Sequence, residues 1–302
     1  MQNGPLKQMQ TKQQIQQLLA SAQVRPKKRL GQHFLIDLNL MKLLVDLANI
    51  GREDIVLEVG CGTGSLTHAL AEKAGRVVAV EMDKSMAKIA ERELTEAKNV
   101  EVIRADILET KHAINSTIAS SLELACKKHA GRFLLVANLP YNVASPVILN
   151  LVAGSIKADG MYVTVQKEVA DRMTAACGGG DYGTLSILLA ATGNVKVERR
   201  LKPTVFWPQP QVDSAMISFV RSEEKVRRIA SMELFSEVVR LFMGHRRKML
   251  KGCTRFASGK LAEIENWQDI FERASINPRS RPEQVPPEEY VAISNVCCEA
   301  LE

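Results

Sequence analysis

The run Ile55-Val56-Leu57-Glu58-Val59-Gly60-Cys61-Gly62-Thr63-Gly64-Ser65-Leu66, residues 55–66, decides the fold. Its first half is apolar and β-branched, the pattern of a buried strand. Its second half sets glycines at 60, 62 and 64, where the backbone can turn through positive φ and a ligand can approach the main chain. Beyond them Leu66, Ala69 and Leu70 mark a helix with an apolar inner face. A strand, a glycine bend and a helix hold a nucleotide-like cofactor at the carboxyl end of a parallel sheet. The spacing Gly-x-Gly-x-Gly departs from the Gly-x-Gly-x-x-Gly of dinucleotide folds, and a plain tight turn is the alternative.

Working outward, Val77–Val80, Val100–Ile103, Phe133–Val136 and Met161–Val165 are further apolar runs separated by helical patterns. That alternation predicts βαβ units and a parallel sheet. Val195–Val197 and Ala215–Val220, joined through a Pro-rich loop, predict a closing antiparallel pair. After about Arg221 the strand signal stops, and Phe235, Val238, Val239 and Phe242 recur at helical spacing. The second strand ends in Glu81-Met82-Asp83 and the third in Ala105-Asp106-Ile107. An acid at the first place can accept both ribose hydroxyls; a carboxylate at the second can receive an adenine amino group. Glycines after strand one with acids after strands two and three describe an adenosine pocket without a pyrophosphate. S-adenosylmethionine meets that requirement.

The bulk properties bound the reading. At 302 residues and 46% hydrophobic, the chain has room for two globular domains. No apolar run approaches the roughly 20 residues of a membrane helix, and the Gln-rich N-terminus lacks a secretory core. That N-terminus reads as a frayed tail or weak helix. The six cysteines show no Cys-x-x-Cys, and the five histidines no ligand spacing, so reduced thiols, a cytoplasmic setting and no metal are expected. Net charge is +6, but ten lysines and arginines fall between Lys225 and Lys260 against two acids, Glu233 and Glu237. With Arg25, Lys27, Lys28 and Arg29, they make two basic patches that suit a polyanion or are simply solvated faces.

The set KKRLGQHFLID, LEVGCGTG, VEMD, ADIL, NLPYNVASP, VQKEVADRM, FWPQPQVDSA and HRRKML resembles the ribosomal RNA adenine dimethyltransferases, in the family's order from residue 25 to about 290. The pattern is most similar to the bacterial branch acting on small-subunit RNA. The resemblance implies an α/β protein: a Rossmann-like, seven-stranded methyltransferase sheet with a small C-terminal all-helical domain. The implied boundaries are an N-terminal extension over 1–24, the methyltransferase domain over 25–222 and a basic RNA-contacting domain over 223–302. It implies S-adenosylmethionine as cofactor, Gly60, Gly62, Glu81, Asp106 and Asn138 among its binding residues, and contacts from His33 and Leu35. His33 stands where asparagine is commoner; its imidazole either donates to the methionine carboxylate or is a surface histidine. The substrate would be two adjacent adenines in the 3′-terminal hairpin of 16S ribosomal RNA, on an immature small subunit, met by a monomer.

The tetrapeptide Asn138-Leu139-Pro140-Tyr141 follows from that chemistry. The exocyclic amine of adenine is a poor nucleophile because its lone pair is delocalised into the ring. Two acceptors aimed at its hydrogens, the Asn138 side-chain oxygen and the Leu139 carbonyl, favour a pyramidal nitrogen. Pro140 rigidifies that carbonyl. Tyr141 offers a face for the base, worth roughly 1–3 kcal/mol. In the family the aromatic at Phe206 covers the flipped base from the other side; core packing is its alternative. Gln211 replaces a lysine often found in that loop. The resemblance places Lys27, Lys28 and Arg29, with Arg246, Arg247 and Lys248, against RNA phosphates, which position without reading sequence. The loop Cys177–Gly183 is a gate beside the site or a plain surface loop.

Three rival functions stay open at this point. Large-subunit resistance methyltransferases usually carry Ile in place of Leu139 and lack the Arg-Arg-Lys block. A non-catalytic assembly or transcription factor would not need Gly60, Glu81, Asp106 and Asn138 together. A nicotinamide dehydrogenase leaves Asn138–Tyr141 unexplained.

Overall fold

The computed structural model describes residues 9–27 and 30–301. It holds a seven-stranded sheet of β1 (Ile55–Val59), β2 (Arg76–Val80), β3 (Val100–Ile103), β4 (Phe133–Asn138), β5 (Gly160–Gln166), β6 (Gly193–Leu201) and β7 (Ser214–Arg221). Their order across the sheet is β3-β2-β1-β4-β5-β7-β6. Neighbours from β3 to β5 are parallel. At the far edge the Ser222 N–H reaches the Thr192 carbonyl and the Ser218 hydroxyl reaches Glu198. Numbers rise on one strand as they fall on the other, so β6 and β7 are the expected antiparallel pair.

The strands lie where the apolar runs predict because a parallel strand is covered on both faces. All five residues of β1 are buried, Glu58 among them. Strand order reverses between β1 and β4. In open α/β sheets ligands bind at the carboxyl ends beside such a reversal. Gly60 follows β1, and Asn138 closes β4, so the quoted run and the tetrapeptide meet there.

Two compact units emerge. The first comprises the chain through Leu151 with Ser155–Ala170 and Lys196–Phe219; the second comprises Val152–Gly154, Asp171–Val195 and the chain from Val220. The sequence boundary at 222/223 falls near Val220, but residues 171–195 group with the C-terminal helices. Contacts distant in sequence hold them there: the buried Tyr182 donates its hydroxyl to the Val285 carbonyl at 2.8 Å. Within this unit the helix Met232–Gly244 buries Phe235, Val238, Val239 and Phe242, the residues at helical spacing.

The N-terminus, expected as a frayed tail or a weak helix, is helical over residues 12–21. Lys12–Ser21 forms helix α1, opened by a capping box in which Thr11 and Gln14 satisfy each other's backbone N–H. Ile15 and Leu19 are buried with Met86 and Ile89 of α2 (Lys84–Glu93). Just before α1, buried Gln10 takes the Thr63 hydroxyl at 2.6 Å and gives its own N–H to Ser65. Ile15 and Leu19 are buried on this helix and Leu18 packs partly buried beside them, too weak a periodicity to read against its glutamines.

Candidate active site

The glycine bend is shaped by sterics that the sequence could state only in outline. Gly60, Gly62 and Gly64 have φ of 79°, 58° and 83°. A Cβ on Gly60 would lie 2.8 Å from Pro140 Cγ, and one on Gly62 would lie 2.7 Å from Phe34 Cε1. The glycines thus let both the Asn138–Tyr141 turn and the Gly31–Leu35 segment close on the bend. A two-residue ladder, Phe34 opposite Trp207 and Leu35 opposite Phe206, ties that segment to the FWPQP loop.

These elements enclose a cleft of about 710 Å³ whose walls include His33, Gly60, Gly62, Glu81, Asp106 and Asn138. Six of the seven expected cofactor residues therefore share one cavity. Leu35 lines a smaller recess behind the glycine bend, together with Glu58 and Asn138.

Glu81 is buried and accepts the Gly62 N–H at 3.0 Å and the Asp83 N–H at 2.8 Å. Burial pushes its carboxyl up, against the pull of those two N–H groups. A carboxylate has about four acceptor sites, so two remain for a ligand's hydroxyls. Asp106 is exposed at the cleft mouth and accepts the Leu108 N–H at 3.0 Å.

Asn138 is held at both ends. Its Nδ2 donates to the His33 carbonyl at 2.6 Å, and its Oδ1 accepts the Thr164 hydroxyl. The His33 carbonyl can only accept, which fixes the amide's orientation. Leu139 has a buried side chain and donates its N–H to the Thr164 carbonyl at 3.2 Å. No donor among the described residues reaches the Leu139 carbonyl. Tyr141 is half-buried; its hydroxyl bonds Ser214 at 2.8 Å, and burial pushes the phenol up, keeping it neutral. Its ring stacks on His33 with centroids 5.3 Å apart. The His33 Nδ1 meets the Pro208 carbonyl at 2.6 Å. The imidazole is thereby a partner of the tyrosine face, not a free surface histidine.

Two expected roles are corrected by position. Phe206 is 2% exposed and sits in the core with Leu35, Met41 and Leu44, so its ring packs rather than lining the cleft. Lys27 gives its ammonium to Asp83 at 2.5 Å. Burial alone would raise the Asp83 carboxyl, but Lys27 and the Met86 and Ser85 N–H groups hold it below its ordinary range. Lys27 thus straps the chain before Gly31 to the start of α2, at the end of the loop that carries Glu81. Lys28 and Arg29 lie outside the described residues.

Glu58 is the acid two residues before Gly60. It is wholly buried and accepts the Thr67 hydroxyl at 2.6 Å. Burial pushes its carboxyl up to about 8 from 4.5, opposed by the Thr67 hydrogen bond and assisted by Glu81. The folded protein therefore holds a proton there that the unfolded chain releases above about pH 4.5. Stability falls as pH rises from about 4.5 through about 8, and the whole penalty is present above that. Glu58→Gln removes this dependence: between pH 5.5 and 8.5 the wild type should lose about 3 kcal/mol more than the variant in denaturant melts. Parallel pH profiles for the two proteins would contradict it.

In the second unit the basic block divides. His245 stacks on Phe256 at 4.0 Å, and Arg246 donates to the Gly180 carbonyl at 3.3 Å and lies 3.9 Å from Glu283. Arg247 and Lys248 are exposed. The Cys177–Gly183 loop is tied down through the Gly178 N–H on the Glu283 carbonyl at 2.8 Å and through Tyr182.

A sheet of this order, with a glycine bend after β1 and acids after β2 and β3, defines a Rossmann-like methyltransferase. The solved structures agree on the fold. A dimethyladenosine transferase from Plasmodium falciparum matches with a TM-score of 0.65 at 21% identity, over 84% of this chain and 94% of its own. The 23S rRNA methyltransferase ErmE matches with a TM-score of 0.59 at 22% identity, over 88% and 99%. The model of the ribosomal RNA adenine dimethylase family matches residues 23–297, and the chain belongs to that family. Among its relatives is a ribosomal RNA small subunit methyltransferase A from Pelotomaculum thermopropionicum, 34% identical over 93% of this chain and 94% of that protein. Another with the same name, from Clostridium perfringens strain 13, is 36% identical over 96% and 95%.

Proposed function

We propose that this protein transfers methyl groups from S-adenosylmethionine to the N6 amines of two adjacent adenines in the 3′-terminal hairpin of small-subunit ribosomal RNA, on an immature subunit. The observation that carries the reading is the shared cleft: Asn138 and Pro140 stand in one wall with Gly60, Gly62, Glu81 and Asp106. The small-subunit relatives favour this substrate over the large-subunit alternative, and the intact cleft disfavours a factor without catalysis.

The residues present fit the cofactor. Glu81 keeps acceptor capacity for ribose hydroxyls, Asp106 offers an open carboxylate for an adenine amine, and the glycines let the backbone come close. His33 and Leu35 border the methionine end. When bound, the cofactor supplies an electrophilic methyl on a sulfonium. The chain's own part is positioning. Asn138 Oδ1 and the Leu139 carbonyl accept the two hydrogens of the target amine, Pro140 fixes that carbonyl, and Tyr141 gives the base a face. The alkylated amine is acidic enough to lose its proton to water, so no general base is required. Arg247 and Lys248, with Lys28 and Arg29, meet phosphates and contribute affinity that falls with salt.

Mass spectrometry of ribosomal RNA from cells lacking the protein tests the substrate. The small-subunit 3′ hairpin should lose both dimethyladenosines; an unchanged hairpin, or loss confined to large-subunit RNA, would reject the assignment.

A further inference from the structure

Strand β5 reads Gly-Met-Tyr-Val-Thr-Val-Gln, and Thr164 sets an aliphatic hydroxyl in this buried, mostly apolar run, 1% exposed. A hydroxyl so placed costs stability unless it is hydrogen-bonded. Its side-chain partner among the described residues is Asn138 Oδ1. The register explains the meeting: Thr164 stands directly opposite Asn138 across the parallel β4–β5 pair, and their side chains share one face. Thr164 is β-branched, so its χ1 is restricted and its hydroxyl direction is set by the strand.

We infer that Thr164 is a positioning residue for methyl transfer, acting through Asn138. The inference rests on the proposed role of Asn138 as an acceptor for the target amine. The His33 carbonyl decides which end of the amide carries the nitrogen. That bond anchors the nitrogen end of the amide and makes no contact with Oδ1. The Thr164 hydroxyl occupies one lone pair of Oδ1 and so directs the other. The acceptor that faces the amine is aimed from a neighbouring strand, outside the Asn138–Tyr141 motif. A displacement of about 1 Å at a reacting centre costs about 10²-fold in rate, so the aim matters even where binding is intact.

The test compares Thr164→Val, which keeps the shape and removes the hydroxyl, with Thr164→Ser, which keeps the hydroxyl. Both are assayed as full-length protein on immature small subunits, beside wild type and Asn138→Ala. Thr164→Val should lower kcat about 10- to 100-fold. Its KM for subunits and its S-adenosylmethionine affinity by calorimetry should stay within about twofold, and Thr164→Ser should recover most of kcat. A wild-type kcat in Thr164→Val, a loss that appears in cofactor affinity instead, or equal losses in both variants would overturn the inference. A Thr164→Val protein that melts well below wild type leaves Thr164→Ser to decide: an active, stable serine variant supports the hydroxyl's role, and an inactive, stable one refutes it. Failure of the functional reading is distinct, since wild type itself would then leave the adenines unmethylated.

Discussion

Asn138→Ala should lower kcat for methyl transfer by about 10²–10³-fold while RNA binding stays at the wild-type level. The magnitude is that of removing one preorganised polar group aimed at a reacting centre. Asn138 is preorganised here: both ends of its amide are bonded within the protein, to His33 and Thr164. It pays no ordering cost when substrate arrives, so its deletion is felt in the chemical step. The proposed RNA contacts, Arg247 and Lys248, are exposed residues of the second unit, and an alanine at 138 leaves those untouched. Single-turnover methylation beside filter binding separates the two quantities. Wild-type turnover would remove Asn138 from the mechanism.

Gly60→Ala should weaken S-adenosylmethionine binding about 10- to 100-fold and lower stability by about 2–5 kcal/mol. Two costs add. A non-glycine residue at a φ of 79° costs about 1–2 kcal/mol. The new Cβ, 2.8 Å from Pro140 Cγ, forces apart the bend and the turn, at about 1–3 kcal/mol. Each 1.4 kcal/mol taken from binding is tenfold in Kd. Adding Pro140→Ala should relieve the collision and leave the backbone strain, so the double variant regains stability relative to Gly60→Ala. Calorimetry and melts on the four proteins of this cycle measure that coupling. Strict additivity would mean that the bend and the turn do not press on each other.

Much of the sheet could be read directly because the inner parallel strands are covered on both faces, so β1, β2, β4 and β5 appear as predominantly apolar runs, while β3 at the sheet edge is interrupted by Glu101. The acids at 81 and 106 and the glycines at 60 and 62 could be read because chain order alone puts them at strand ends. What escaped depends on contacts between distant segments. Phe206 belongs to the core because it lies opposite Leu35, a pairing that local pattern does not encode. Lys27 looks like part of a basic cluster until Asp83 claims it. The segment 171–195 groups with the second unit through side chains such as Tyr182, whose partner lies 103 residues on. Thr164 gave one faint signal, a hydroxyl inside an apolar strand, which acquires meaning only with the register to β4.

The central claim is geometric: the turn closing β4 holds the target amine beside the cofactor's methyl group. A crystal structure of the protein with an unreactive S-adenosylmethionine analogue and adenosine tests it most directly. The adenosine N6 should lie within about 2.6–3.2 Å of both Asn138 Oδ1 and the Leu139 carbonyl, with its ring against Tyr141. An N6 turned away from these two acceptors, with the ring elsewhere in the cleft, would contradict it.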